Sequence, residues 1–530
     1  MPTPDPPPAT GPRTPRPRAV PGRTLEDLAR LLGATVAPAD AATPVGGVTL
    51  DSRQVRPGDL YAALPGAHAH GADFAGQAAA AGAVACLTDA AGADDCRDSG
   101  LPTLVVGDPR ARLGEVAAAV YGTPPPGLLL LGVTGTNGKT TTTYLLEAAL
   151  RRLGRTTGLV GTVETRVGDE RISSVRTTPE SPDVHALLAV MHERGVDACA
   201  MEVSSHALAL HRVDGVVFDV AAFTNLTQDH LDFHADMEDY FAAKASLFTP
   251  ARSRRGVVCV DDAWGRRLAQ QAGVPVVTLA TTPGVDADWT AGAVEVAASG
   301  GATGFTLTHR SGRVVRLVSP LPGDFNVANT AVALAVLVEA GVDPAEAAHA
   351  LAAAGGVPGR MERVRSTSPD EPLAVVDYAH TPDAVASALR ALRPSTGGRL
   401  VVVLGAGGDR DAGKRAAMGA AAAAHADLVV VTDDNPRSED PAAIRAAVLA
   451  GARGAAARSG ADVVEVGDRA EAITAAVRAA AGPGDTVLVA GKGHETGQEV
   501  AGTVHPFDDR AVLRAALEQW ADARTPGGQR

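Results

Sequence analysis

The segment GVTGTNGKTTT, residues 132–142, carries the densest chemistry in the chain. Gly135 and Gly138 leave backbone N–H groups free to close around phosphate oxygens. Lys139 can reach a β- or γ-phosphate, and Thr140 offers a hydroxyl to Mg²⁺. Thr136, Asn137 and Thr141 complete the turn. The spacing departs from the common GxxxxGK[ST] pattern, because Val133 stands where the first glycine would be. A chance Gly-Lys-Thr turn would not explain the apolar run before it and the helical pattern after it. ATP or GTP is therefore the expected ligand.

Other residues gain meaning from position. Glu202 ends the apolar run DACAMEV, and His230 follows VVFDVAAFTNL, so both fall at strand ends in the unit that holds the phosphates. Taken singly, each belongs to a type that is more often a satisfied polar group than a ligand. Lys244, in YFAAKASLF, reads by itself as an ordinary helical lysine. Asp377 and His380 occupy a strand-to-helix turn in DYAHTPD, with Thr381 placed as N-cap before Pro382. Asp434, Asn435, Pro436 and Arg437, with Arg410, Gly491 and Glu495, assemble a guanidinium that can grip a carboxylate bidentately and acceptors suited to an ammonium. The plain alternative for that stretch is an Asn-Pro turn.

In their order, LDSRQVRPGDL, GTNGKTTT, TTPE, MEVSSHALALHRV, NLTQDHLDFH, YFAAKASLF, GDFNVANTAVAL, PGRMERV, DYAHTPDAV, GGDRDAGKR, TDDNPRSE and AGKGHE resemble the motifs of the Mur ligases. The resemblance runs through nearly the whole chain. It implies an ATP- and Mg²⁺-dependent, ADP-forming ligase of peptidoglycan precursor synthesis. In the form it matches, 2,6-diaminopimelate is joined to UDP-MurNAc-L-Ala-D-Glu through an acyl phosphate. By the same resemblance Thr140, Glu202, His230 and a carbamylated Lys244 hold Mg²⁺, and Lys139 joins them in catalysis. Asn326, Asn329, Arg360, Asp377 and His380 serve ATP. Leu50, Ser52, Arg53, Ala67, His68, Ala69, Thr177, Thr178, Ser204 and Arg212 serve the uridine-nucleotide substrate. Arg410, Gly491, Glu495 and the 434–437 stretch serve diaminopimelate. Leu210 departs from the glutamine that some members carry. Rival readings are the lysine-adding form, a folylpolyglutamate-synthetase-like ligase and a nucleotide-binding scaffold without catalysis. LDSRQVRPGDL disfavours the folate reading, and the intact Lys139, Glu202, His230 and Lys244 disfavour the scaffold.

These residues need strands to present them. Short apolar runs alternating with Ala-rich helical patterns predict three α/β domains. A Pro-rich disordered tail covers 1–22 and a UDP-substrate domain 23–126, the latter starting with a helix behind Thr24. There Asp27 stands where a capping box would want Glu or Gln. The central phosphate-loop ATPase domain, 127–356, has a mostly parallel sheet. The third, 357–515, is doubly wound and Rossmann-like, followed by a flexible tail at 516–530. Ligands of such sheets sit at the C-terminal strand ends.

The 530 residues suit several cores rather than one. A net charge of -13 argues against nucleic acid as partner. Four scattered cysteines read as reduced thiols. The absence of any long apolar run argues against membrane insertion. A cytoplasmic monomer is expected.

Overall fold

The computed structural model describes residues 14–66, 68–174, 176–296, 302–366 and 370–524. Three α/β domains follow one another along the chain, as the alternating pattern predicts.

In the first, Gly47–Thr49, Asp59–Ala62, Ala85–Thr88 and Thr103–Val105 form a parallel sheet in chain order. Helices Leu25–Leu32 and Pro109–Tyr121 bury Leu28 and Val116 against it. The capping box at Thr24 does close. Thr24 Oγ1 accepts from the Asp27 N–H at 3.3 Å, and the Asp27 carboxylate accepts from the Thr24 N–H at 3.0 Å. Aspartate's shorter side chain therefore suffices here.

Both terminal expectations need correction. Residues 1–13 lie outside the described residues, but residues 14–22 pack on the protein. Arg16 pairs with Asp59, and the Arg18 and Ala19 amides donate to Glu193. At the other end, helix Asp509–Asp522 runs into the expected flexible tail as far as Asp522. Leu517 and Trp520 are buried in the third domain's core, which explains why the helix persists. Residues 525–530 lie outside the described residues.

Among the described residues the central sheet has eleven strands. Its inner strands are parallel, with Leu129–Thr134 between Ala198–Glu202 and Val220–Phe223. The strands Trp289–Val296, Thr303–His309 and Val314–Ser319 add an antiparallel edge. Helix Lys139–Arg152 packs against helix Asp324–Glu339 through an Ala, Val and Leu core.

The third domain orders its strands Glu362–Val364, Leu373–Asp377, Thr486–Ala490, Leu400–Leu404, Leu428–Val431 and Asp462–Glu465. Only the first pairs antiparallel. Among the described residues, no helix is long and apolar enough to cross a membrane.

A buried ion pair ties the loops of this domain together. Arg469 meets Asp509 at 2.7 and 2.8 Å, with both side chains inaccessible to solvent. The same guanidinium donates to the Asp433 and Ala490 carbonyls at 3.2 and 2.9 Å, just where the 434–437 and Gly491 loops begin. Removing one partner of a buried pair strands the other charge. Arg469→Met is therefore expected to cost about 3–5 kcal/mol of stability. Urea denaturation checks it, and a loss below about 1 kcal/mol would contradict the pair's importance. Arg469→Met with Asp509→Leu should recover much of the loss.

Candidate active site

The phosphate loop leaves the C-terminal end of Leu129–Thr134 and enters helix Lys139–Arg152. Gly135 and Gly138 have positive φ, at 149° and 87°. A Cβ on Gly135 would lie 1.9 Å from Thr224 Oγ1, and one on Gly138 would lie 2.2 Å from Asn329 Oδ1. Neither position tolerates a side chain. Lys139 folds back on its own loop, donating to the Gly135 and Thr136 carbonyls at 2.9 and 2.8 Å. Burial lowers its pKa, while Glu202 and Asp229 oppose that shift.

Glu202, at the end of Ala198–Glu202, is fully buried. Its Oε2 accepts from the hydroxyls of Thr140 and Thr162, each at 3.0 Å, and its Oε1 from the Thr162 amide at 2.8 Å. Arg360 reaches from the third domain to Thr140 Oγ1 at 3.1 Å while resting on the Tyr378 ring. Asn329 lines the same cavity. Asn326 stands behind it, accepting from Asn329 at 3.0 Å and donating to the Pro322 carbonyl, and so orients Asn329 rather than facing the cavity. Thr136 bonds Tyr240 and the Thr227 carbonyl, and Asn137 receives support from Asn225.

Lys244 is 1% exposed, and its ammonium donates to the Gly135 carbonyl at 2.7 Å. Among the described residues no carboxylate pairs with it. Burial, and then the charge of Lys139, hold its pKa well below the ordinary lysine value. Burial likewise pushes His230 down to about 3 against the pull of Asp229, so its imidazole is neutral.

Asp229, overlooked in the sequence although it precedes His230, joins two domains. It lies 3.4 Å from Lys414, 3.5 Å from His230 and 3.8 Å from His380. Burial pushes its carboxyl up, but the charge of the Lys414 ammonium holds it below the usual carboxylate range. This junction separates the nucleotide cavity from a second one. Thr177, Asp229, His230, Tyr378 and His380 line both.

The second cavity is built by strand ends of the third domain. Arg410, Asp434, Asn435, Arg437, Gly491 and Glu495 line it. Arg437 donates to the Gly408 carbonyl at 2.7 Å and lies 3.4 Å from Glu499. The Pro436 carbonyl packs so closely on Gly408 that a Cβ there would lie 1.9 Å away. A residue absent from the sequence reading, Lys492, is fully buried and bridges Asn435 Oδ1 at 2.8 Å and Glu495 Oε2 at 2.9 Å. Its place inside AGKGHE was the available signal. Asp377 is buried and accepts from the Met361 amide at 2.7 Å; burial raises its pKa. Left-handed backbone occurs at His230 and Arg437, which line these cavities, and at Met361 and Asp409, each next to a lining arginine. Such conformations cost about 1–3 kcal/mol each and gather at functional sites.

A third cavity lies between the first and central domains, lined by Leu50, Arg53, Arg176 and Glu180. Glu180 lies 3.3 Å from Arg110 and 3.0 Å from Arg212, and it also pairs with Arg176. Three guanidinium groups thus converge on one carboxylate, and within the lining itself Arg53 and Arg176 stand among Asp51, Glu180 and Asp183. Neither Arg110 nor Arg176 was singled out in the sequence. Other residues expected there sit elsewhere. Ser52 turns to Gln77 at 2.9 Å, and His68 and Ala69 are exposed away from this lining; Ala67 lies outside the described residues. Thr178 is buried and donates to the Glu202 carbonyl at 2.8 Å, while Ser204 caps the helix Ser205–Ala209.

The chain belongs to the Mur ligase family. Matches to the Mur ligase family catalytic domain, the Mur ligase middle domain and the Mur ligase glutamate ligase domain cover residues 44–121, 133–337 and 359–493. A UDP-N-acetylmuramoyl-L-alanyl-D-glutamate–2,6-diaminopimelate ligase of Streptomyces avermitilis is 59% identical over 510 residues, spanning 96% of this chain and 99% of its own. Its counterpart in Streptomyces coelicolor is 58% identical with the same coverage. A solved structure of a ligase with that name is 32% identical, with a TM-score of 0.66 over 94% of this chain and 99% of its own.

Proposed function

We propose that the chain joins 2,6-diaminopimelate to the D-glutamate γ-carboxyl of UDP-MurNAc-L-Ala-D-Glu at the expense of ATP. The observation carrying this reading is the shared wall between the phosphate-loop cavity and the Arg437 cavity. An acid activated on one side stands within reach of an amine bound on the other. The γ-carboxylate attacks the γ-phosphorus of ATP, ADP leaves, the amine attacks the acyl carbon, and phosphate departs.

Lys139, freed from its carbonyls when phosphate arrives, neutralises charge on the transferring group, and loop amides hold the phosphates in line. Arg360 supplies a further cation from the third domain, so domain closure and assembly of the site coincide. Oxygens of Thr140 and Glu202 lie 3.0 Å apart, a donor pair suited to a hard divalent ion. Thr140, Glu202, the neutral His230 and a carbamylated Lys244 would hold Mg²⁺, whose chemistry is to offset phosphate charge.

An acyl phosphate is open to capture. With ATP, the UDP-dipeptide and hydroxylamine but no diaminopimelate, the expected product is the γ-hydroxamate of the dipeptide, read by mass. ATP consumption without hydroxamate, at hydroxylamine levels that trap a reference acyl phosphate, would contradict this order of steps.

A further inference from the structure

We propose that residues 14–19 form part of the uridine-nucleotide site, with Thr14 and Pro15 in the wall of its cavity. The inference rests on the reading that the cavity holding Leu50 and Arg53 takes the nucleotide end of the UDP-sugar. Thr14 and Pro15 line that cavity together with Leu50, Asp51 and Asp183. The segment crosses from one domain to the other and is fastened on both.

On the first domain, the Arg16 guanidinium pairs with Asp59, and the two side chains are 13% and 2% exposed. It also donates to the Val48 carbonyl at 3.4 Å, and Arg56 donates to the Thr14 carbonyl at 3.1 Å. On the central domain, Glu193 accepts from the Arg18 amide at 2.8 and 3.0 Å and from the Ala19 amide at 3.0 Å. Asp183 hydrogen-bonds Thr14.

The surface beneath is shaped for this passage. A Cβ on Gly47 would lie 2.5 Å from Arg16 Nη1, and one on Gly122 would lie 2.7 Å from Pro21 Cγ. A buried Asp59 needs a cation, and Arg16 brings one from the segment itself. These features make the path a built contact, although Pro-rich composition alone reads as a tail. Pro15 presents a rigid ring beside Leu50, and Thr14 presents a polar edge. A nucleoside needs such a mixed wall, while Arg53 and Arg176 on the same lining can meet its diphosphate.

Two variants of the full chain test this. Thr14→Ala with Pro15→Gly alters the wall, and Glu193→Gln weakens the anchor without touching the cavity. UDP itself is the calorimetric probe, with Arg53→Ala as the reference for the cavity. Each variant is expected to weaken UDP binding about tenfold, the scale of a lost hydrogen bond with its apolar contact. The KM for the UDP-dipeptide should rise similarly, while kcat, the KM for ATP and the melting temperature hold. If Arg53→Ala loses UDP affinity and both segment variants bind as the parent does, the segment's role is overturned while the cavity stands. If all three bind UDP unchanged, the cavity assignment fails and takes the proposal with it. Loss of UDP affinity accompanied by a lower melting temperature and a raised KM for ATP would make the segment a general stabiliser, which also overturns it.

Discussion

Lys244→Arg is expected to lower kcat by about two orders of magnitude or more, as severely as Lys244→Ala, because neither residue can supply carbamate oxygens to Mg²⁺. The basis is an unusual lysine. Its ammonium is buried, is held by the Gly135 carbonyl at 2.7 Å, and has no paired carboxylate among the described residues. Burial and the nearby Lys139 favour the neutral amine, the form that adds CO₂. A purely cationic role predicts the opposite ranking, with arginine retaining activity and alanine losing it. Arginine is bulkier in a close-packed site, so the melting temperature of each variant must accompany the rates. Acetate added to Lys244→Ala should restore part of the turnover by returning a carboxylate to the gap. The intact mass of the active protein should carry one added CO₂ at this lysine. Near-normal kcat in Lys244→Arg would refute the carbamate and leave Lys244 a helical residue braced on the phosphate loop.

Arg437→Ala is expected to raise the KM for diaminopimelate strongly while leaving that for ATP nearly unchanged. Loss of one partner from a buried charge pair costs about 2–5 kcal/mol. Here the guanidinium is 23% exposed and already leans on Glu499 at 3.4 Å, so the lower end applies. About 2–3 kcal/mol corresponds to a KM increase of about 30- to 150-fold. Arg437→Lys keeps the charge without the planar fork and should fall between parent and alanine. The left-handed backbone at this residue, φ 52°, is equally awkward for alanine and lysine, so backbone strain does not separate the variants. An unchanged diaminopimelate KM in a folded Arg437→Ala protein would place the amino acid elsewhere.

Much of the architecture was open to reading because buried parallel strands announce themselves as continuous apolar runs. LAVVD, LVVVL, LVVV and TVLVA are four of the six described strands of the third domain, and the segments that follow them contribute residues to the two cavities. Thr381 caps its helix ahead of Pro382 as its chemistry dictates. The antiparallel edge at 289–319 was harder to see, since its strand Val314–Ser319 alternates exposed and buried residues and carries no chemistry at its end. Composition misled at the termini, where Arg16 and Trp520 find partners distant in sequence.

Within the cavities, the phosphate loop and Asp434, Asn435 and Arg437 were legible as lining residues, whereas Ser52 and Ser204 turn elsewhere and residues defined by a partner in another element were not visible. Thr162 matters through Glu202, Asp229 through Lys414 and His380, and Arg110 through Glu180. Lys492 falls between the two groups. It sits in a quoted motif, yet its role depends on Asn435, far away in the chain.

Competition between diaminopimelate and L-lysine at equal concentration, with ATP, Mg²⁺ and UDP-MurNAc-L-Ala-D-Glu, tests the proposed ligation most directly when the nucleotide product is identified by mass. Diaminopimelate should dominate the product, with ADP and phosphate released in step, and omission of any one substrate should stop the release. A product bearing chiefly lysine, equal turnover with UDP-MurNAc-L-Ala, or ligation of glutamate to a folate would contradict it.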